Sequence, residues 1–221
     1  MTDGGNVSVR AARRLQTLLT RERELWASGL TRVAGVDEAG VGPLAGPVVA
    51  AAVIFPEGCG LPGVDDSKKL TPERRATLAL SIRENALAFS VALVTPDEID
   101  RINVYQATLA AMGRAVDGLA IKPQYVLVDA RRIPGCDLPQ EAIIRGDAQC
   151  HAIAAASILA KTTRDALMRR YDDEFPGYGF ADHKGYPTEA HREAIRRLGP
   201  CAIHRLSFTL LPAARLWTEP L

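Results

Sequence analysis

The 221-residue sequence predicts an α/β fold, in which a mixed central β-sheet is flanked by helices and the chain closes with a C-terminal helical extension. Three observations predict it. Short β-branched or Ala-rich runs alternate with longer stretches of helical periodicity. The first two runs, 31–38 and 48–55, are joined by the turn Ala39-Gly-Val-Gly-Pro-Leu-Ala-Gly-Pro47, so the sheet opens with a hairpin rather than a crossover. Hydrophobic residues make up 47% of the chain, ample for a core of this size.

Taken in order, residues 1–6 are small and polar and are expected to be disordered. Residues 9–28 place Leu15, Leu18, Leu19, Leu25 and Trp26 among arginines and glutamates, which predicts one amphipathic lead-in helix. After the hairpin, Thr71-Pro-Glu supplies an N-cap and a first-turn proline for a helix over 71–85, and 86–94 follows as a third strand. Residues 103–119 carry Tyr105, Leu109, Met112 and Val116 on one helical face. A short apolar strand over 123–129 ends in an acid, and 143–145 is a further short strand. Residues 148–171 form a long helix whose first half, small and apolar throughout, is expected to be buried. The glycine-punctuated stretch 177–186 is a loop, and 187–198 is a last helix opened by Pro-Thr-Glu. The expected organisation is a tail and lead-in helix over 1–30, an α/β core over 31–175 and a helical extension over 176–221.

Composition excludes several classes. With 27 Lys+Arg against 26 Asp+Glu, no overall basic excess advertises a nucleic-acid partner, so any such partner must meet a local basic face. Cys59, Cys136, Cys150 and Cys201 form no C-x-x-C pair, which argues against a zinc knuckle, a redox motif or a secreted disulfide framework. The N-terminus lacks the apolar stretch of a secretory signal, and the apolar run 47–56 is too short to span a bilayer. The expectation is a soluble cytoplasmic protein with reduced thiols.

Four carboxylates are the candidate chemistry. Asp37 and Glu38 close the first strand, Asp129 closes Tyr125-Val-Leu-Val128, and Asp147 opens the long helix after Gly146. Singly, each is as well explained as an N-cap or a turn former. Together, acids at the ends of apolar strands repel unless protonated or neutralised by a cation, and an all-oxygen set suits Mg²⁺ or Mn²⁺ rather than zinc. Adjacent strand residues point to opposite faces, so Asp37 and Glu38 share a site only where the strand ends or bulges, which the following glycines allow.

At these residues the sequence resembles a known family. Ala34-Gly-Val-Asp-Glu-Ala-Gly-Val-Gly-Pro-Leu-Ala-Gly-Pro-Val48 is similar to the opening motif of bacterial ribonuclease HII. The likeness continues through Asp65-Asp-Ser-Lys-Lys-Leu70, Val126-Leu-Val-Asp129, Gly146-Asp147, Ala154-Ala-Ala-Ser-Ile-Leu-Ala-Lys161, Phe175-Pro-Gly-Tyr-Gly-Phe180 and His183-Lys-Gly-Tyr186. It extends to Leu198-Gly-Pro-Cys201, His204-Arg205 and Ser207-Phe208.

The resemblance implies a ribonuclease H-like fold and hydrolysis 5′ of a ribonucleotide, in RNA/DNA hybrids and in DNA duplexes that contain ribonucleotides. It maps the catalytic and metal-holding acids onto Asp37, Glu38, Asp129 and Asp147, with Asp37 as the bridging ligand and Asp147 as the most replaceable one. Two-metal logic then expects two divalent ions, Mn²⁺ or Mg²⁺, about 4 Å apart, one activating the attacking water and the other stabilising the leaving 3′ oxygen. The family's Gly-Arg-Gly loop, whose backbone reads the 2′-hydroxyl, is here Gly40, Val41 and Gly42. The glycines keep that approach, and valine removes a guanidinium from reach of a phosphate. Tyr186 stands where the family packs a tyrosine on the following deoxyribose. Lys161, Arg164, Lys184 and Arg205 are the expected phosphate contacts, with Lys68, Lys69, Arg169 and Arg170 as weaker ones. Ser157 and Asn103 also match family positions, and packing or local hydrogen bonds explain them equally well. The expected form is a monomer acting away from membranes. The rivals are the ribonuclease HIII branch, for whose extra N-terminal domain the stretch before Thr31 is expected to be too short, a resolvase, or a non-catalytic nucleic-acid-binding module.

Overall fold

The computed structural model describes residues 3–212, with backbone alone at residues 3–8 and 10. Two lead-in helices, α1 (Asp3–Leu18) and α2 (Thr20–Ala27), precede the hairpin of β1 (Val33–Ala39) and β2 (Val48–Ile54). Then come α3 (Pro72–Asn85), β3 (Ala88–Val94), α4 (Pro96–Ile102), α5 (Val104–Asp117), β4 (Tyr125–Asp129) and β5 (Gln140–Ile143). The long α6 (His151–Glu174) and the shorter α7 (Phe180–His183) and α8 (Glu189–Leu198) complete the order. The five strands run β3-β2-β1-β4-β5, antiparallel across β3-β2-β1 and parallel across β1-β4-β5. The sheet is therefore mixed, as the hairpin and the later strand–helix alternation require.

Period-two alternation sorts the sheet's side chains onto two faces. Val36, Ala50, Ala52 and Val128 pack with Ala107, Ala111 and Met112 of α5, while Val49, Ala51 and Val53 pack with Ala155, Ile158 and Leu159 of α6 and Leu78 of α3. Each fully buried Leu or Ile here contributes about 1.5–3 kcal/mol. The first half of α6 is buried from His151 to Ala160, as its composition predicts. Gly35 explains how close that helix comes: a Cβ there would lie 2.1 Å from the carbonyl carbon of Ala152.

The C-terminal extension docks on the linker of the hairpin. Leu44 and Ala45 join Met168, Tyr178, Phe180, Ile195 and Ile203 in one buried cluster. Backbone bonds lock the contact, from Leu44 N–H to Gly185 O, from Gly46 N–H to Ile203 O and from Arg205 N–H to Leu44 O, each 2.8 Å.

Several boundaries differ from expectation. Residues 3–6 belong to α1 rather than to a disordered tail, and residues 1–2 and 213–221 lie outside the described residues. The lead-in helix breaks at Leu19 (φ −83°, ψ 3°), which lets both Leu18 and Leu19 turn inward. Helix α4 follows Thr95-Pro96-Asp97-Glu98, the same signal that marks α3, with the Thr95 hydroxyl accepting from Glu98 N–H. Strand β5 lies three residues earlier than expected because its pairing with β4 runs from Gln140 to Ile143. Asp147 does not open the long helix: it sits in a separate 3₁₀ turn, Gly146–Ala148, and α6 starts at His151. Asn103, at φ +65°, caps α5 by accepting from Gln106 N–H.

Candidate active site

The acids meet at the end of the sheet where β1 and β4 stop. The parallel register that sets Val36 against Val128 puts Asp37 beside Asp129 on the face covered by α6. Glu38 lies inside β1, which continues to Ala39, so alternation directs it to the other face and no bulge is needed. Past Val36 the pairing with β4 ends, and the longer glutamate curls over that open edge. Ligand oxygens of Asp37, Glu38 and Asp129 consequently lie within 4.8 Å of one another. Gly146 N–H donates to Asp129 Oδ1 at 2.7 Å and Glu38 N–H to Asp37 Oδ1 at 2.7 Å, fixing two of the carboxylates. Asp147 stands outside this triplet, with its carboxylate 3.7 Å from Lys68 Nζ.

Electrostatics make the cluster costly without a cation. Burial, then Glu38 and Asp129, push the Asp37 carboxyl well above the usual carboxylate range. Burial also raises Glu38, against the pull of Arg131, whose Nη1 is 3.6 Å away. Asp147 is raised as well, first by burial. Among the described residues Glu38 Oε2 is buried with no hydrogen-bond partner. An orphaned carboxylate oxygen beside two further carboxylates is a donor set that an oxygen-preferring divalent cation satisfies.

Next to the acids opens a cleft of about 330 Å³, walled by Glu38, Gly40, Val41, Gly42, Ser67, Lys68, Ser157, Lys161 and Tyr186. Gly40 combines φ +95° with no space for a side chain, since a Cβ would lie 2.1 Å from Arg164 Nε. Val41 is half-buried and Gly42 exposed, and the Tyr186 ring comes within 4.0 Å of where a Gly42 Cβ would be. The Ser157 hydroxyl bonds that of Ser67 at 2.9 Å, tying α6 to the turn that carries Lys68.

Comparison with known proteins decides what this site belongs to. The family model for ribonuclease HII matches residues 34–211. The chain belongs to the ribonuclease HII family. It is 57% identical to the ribonuclease HII of Myxococcus xanthus over 88% of this chain and 67% of that one. It is 54% identical to that of Moorella thermoacetica over 88% of this chain and 95% of that one. Among solved structures, the ribonuclease H2 of Pyrococcus horikoshii shares the fold at TM-score 0.68 and 30% identity, covering 81% of this chain and 94% of that one. As a ribonuclease HII family member the chain is a metal-dependent endoribonuclease that acts on RNA/DNA hybrids, and the expected ribonuclease H-like fold is the fold observed.

In this ribonuclease HII family member a histidine relay supports Tyr186. Cys201 N–H donates to His204 Nδ1 at 2.9 Å, so the His204 proton sits on Nε2 and is donated to His191 Nε2 at 3.1 Å. That leaves the His191 proton on Nδ1, donated to Tyr186 O at 2.9 Å. Both rings are buried and neutral, and burial pulls His191 down to about 4. His183 accepts from Gly185 N–H and donates to Tyr178 O, fixing the same loop from its other side.

Two expected phosphate contacts are corrected. Arg164 and Arg205 are 1% and 0% exposed, and their guanidinium groups are spent on backbone carbonyls. Arg164 donates to Pro47 O, Lys184 O and Ala45 O, each at 3.0 Å, and Arg205 to Gly40 O, Val41 O and Gly46 O. Buried behind the loop, neither can reach a phosphate. Lys161 does line the cleft, with its ammonium 2.7 Å from Asp165 Oδ1, and the Lys184 ammonium folds back on Ala181 O. Of the weaker candidates, Lys68 stands in the cleft wall, whereas Arg169 and Arg170 are exposed on α6. Arg131 and Ser67 were not foreseen. The signal for Arg131 lies in its place two residues past the strand-ending Asp129, after the left-handed Ala130 (φ 55°) that turns it toward Glu38.

Proposed function

We propose that this enzyme cuts the phosphodiester on the 5′ side of a ribonucleotide, in RNA/DNA hybrids and in DNA duplexes with embedded ribonucleotides, leaving 3′-hydroxyl and 5′-phosphate ends. One observation carries the reading: three carboxylates within 4.8 Å of one another adjoin a cleft lined by a glycine loop and an exposed tyrosine. Asp37, Glu38 and Asp129 would hold Mg²⁺ or Mn²⁺, with Asp37 as the shared ligand and Asp147 as an outer, more replaceable one. When bound, two such ions supply the charge that polarises an attacking water and steadies the leaving 3′ oxygen. The chain's own residues place the substrate. Backbone groups of Gly40, Val41 and Gly42 meet the ribose and its 2′-hydroxyl, Tyr186 packs on the next sugar, Lys161 and Lys68 face phosphates from the cleft wall, and Lys184 does so once its ammonium leaves Ala181 O.

The segment 176–221 is the substrate-binding extension of a core spanning 31–175, with 1–30 as a lead-in. The protein acts as a monomer in the cytoplasm. None of the described helices is long and apolar enough to cross a membrane, and the described cysteines are free.

The test is a DNA duplex carrying one ribonucleotide, incubated with Mg²⁺, with Mn²⁺ and with EDTA, beside the same duplex without the ribonucleotide. Cleavage 5′ of the ribonucleotide is expected with divalent ions only. Cutting of the all-DNA duplex, or no cutting with either ion, overturns the reading.

A further inference from the structure

Arg205 is a fully buried cation whose hydrogen-bond partners include no carboxylate. Its Nη2 donates to Gly40 O at 2.6 Å and Gly46 O at 2.8 Å, its Nη1 to Val41 O at 2.9 Å and its Nε to Gly46 O at 2.9 Å. The fork thus gathers three carbonyls from a loop about 160 positions earlier in the chain. Taking a guanidinium out of water without an acid is unfavourable, and burial pulls its pKa down to about 9.

A trans peptide is planar, with its C=O and the following N–H pointing in opposite directions. With the carbonyls of Gly40 and Val41 turned inward to Arg205, the N–H groups of Val41 and Gly42 are turned outward. Among the described residues neither N–H has an acceptor within the protein, and both residues line the cleft facing Tyr186. The arginine is itself held from behind. Asp100 accepts from Leu206 N–H at 2.8 Å, Ser207 N–H at 3.0 Å and the Ser207 hydroxyl at 2.6 Å, and Phe208 lies 5.2 Å below the guanidinium.

We propose that Arg205 is a positioning residue for ribonucleotide recognition: it turns two successive peptide planes so that Val41 N–H and Gly42 N–H present paired donors to a 2′-hydroxyl in the cleft. The inference rests on the function proposed above and adds to it how the loop is made selective. It also explains why the loop works with valine at position 41, since selectivity resides in backbone planes set from behind and not in that side chain. Lysine cannot replace the arginine, because a single ammonium cannot fork to three carbonyls.

The experiment measures duplex binding in EDTA, where no cutting occurs, for a duplex with one ribonucleotide and for its all-deoxy counterpart. Wild-type protein is expected to prefer the ribonucleotide. Arg205→Lys should cut that preference about fivefold, the worth of roughly one hydrogen bond, while affinity for the all-deoxy duplex stays within about twofold. Asp100→Ala loosens the same segment from the far side, and is expected to reduce the preference about twofold with a far-UV spectrum like wild type. If Arg205→Lys does not fold, Asp100→Ala decides alone. A wild-type preference that the folded variants retain, with only the melting temperature lowered, makes Arg205 purely structural and overturns the proposal. A wild-type protein with no preference would instead refute the function reading, whatever the variants do.

Discussion

Replacing Asp37 by Asn should abolish cleavage and, in the absence of metal, make the protein more stable. The Asn keeps the oxygen that accepts from Glu38 N–H and removes a charge from a buried site 5% exposed. Carboxylates within 4.8 Å of one another repel by about 3 kcal/mol per pair at an effective dielectric of about 20. Partial protonation of the cluster reduces this, so the expected gain at pH 8 is about 1–3 kcal/mol. For a chain of this size that is a rise of roughly 3–9 °C in melting temperature. Its pH dependence has a definite sign. The Asp37 carboxyl is raised by burial first and then by Glu38 and Asp129, so the folded state holds its proton to higher pH than the unfolded state does. Its contribution is intact below the ordinary carboxylate pKa and is lost as pH rises through the raised value, so the advantage of Asn should grow from about pH 4 to pH 8. Saturating divalent ion should reverse the order, because wild type binds it more tightly and gains more from mass action. Calorimetry in EDTA across pH, then with metal, reads all of this beside a cleavage assay. A lower melting temperature for Asp37→Asn in EDTA at pH 8, or substantial cutting by the folded variant at saturating metal, would refute the reasoning.

Three further predictions concern the cleft walls and the relay behind them. Tyr186→Ala should lose more activity on a single embedded ribonucleotide than on a continuous RNA strand paired with DNA, because the ring favours a following sugar without a hydroxyl; equal losses in a two-substrate assay would reduce Tyr186 to a structural residue. Val41→Arg adds a cation to a half-buried position at the cleft wall and should lower KM, with the log–log salt slope steeper by somewhat less than one unit. An unchanged slope with a lower melting temperature would assign position 41 to packing. His191→Phe keeps the ring volume but strands Tyr186 O and the His204 Nε2 proton; the expected cost is about 2–4 kcal/mol, read as a drop of several degrees by scanning calorimetry, and an unaltered melting temperature would remove the relay from the fold's support.

Much of the fold was legible because local rules decide it. The β1–β2 hairpin follows from two apolar runs around a glycine–proline turn, and α3 from a capped, proline-started helical stretch. The same signal, Thr95-Pro96, marks the start of α4. The separation of Asp147 from α6 was less legible, since a 3₁₀ turn and a first helical turn share their capping residues.

By itself the sequence determined that acids would stand near the ends of two strands, that a glycine-rich turn would follow the first, and that the early half of the long helix would be buried. These depend on side-chain periodicity and on residues adjacent in the chain. Only the tertiary structure decided that Asp129 lies beside Asp37, because parallel register is set between segments about 90 residues apart. Only it decided that Glu38 reaches the cluster from the opposite face, over an edge left open where the ladder stops. The sharpest division falls among the basic residues. In sequence Arg164 and Arg205 look like Lys161 and Lys184, yet the two arginines are sealed inside by carbonyls 20 to 165 positions away. Whether a long cation meets solvent or a ring of buried carbonyls depends on which distant backbone segments converge on it, and no local pattern carries that information.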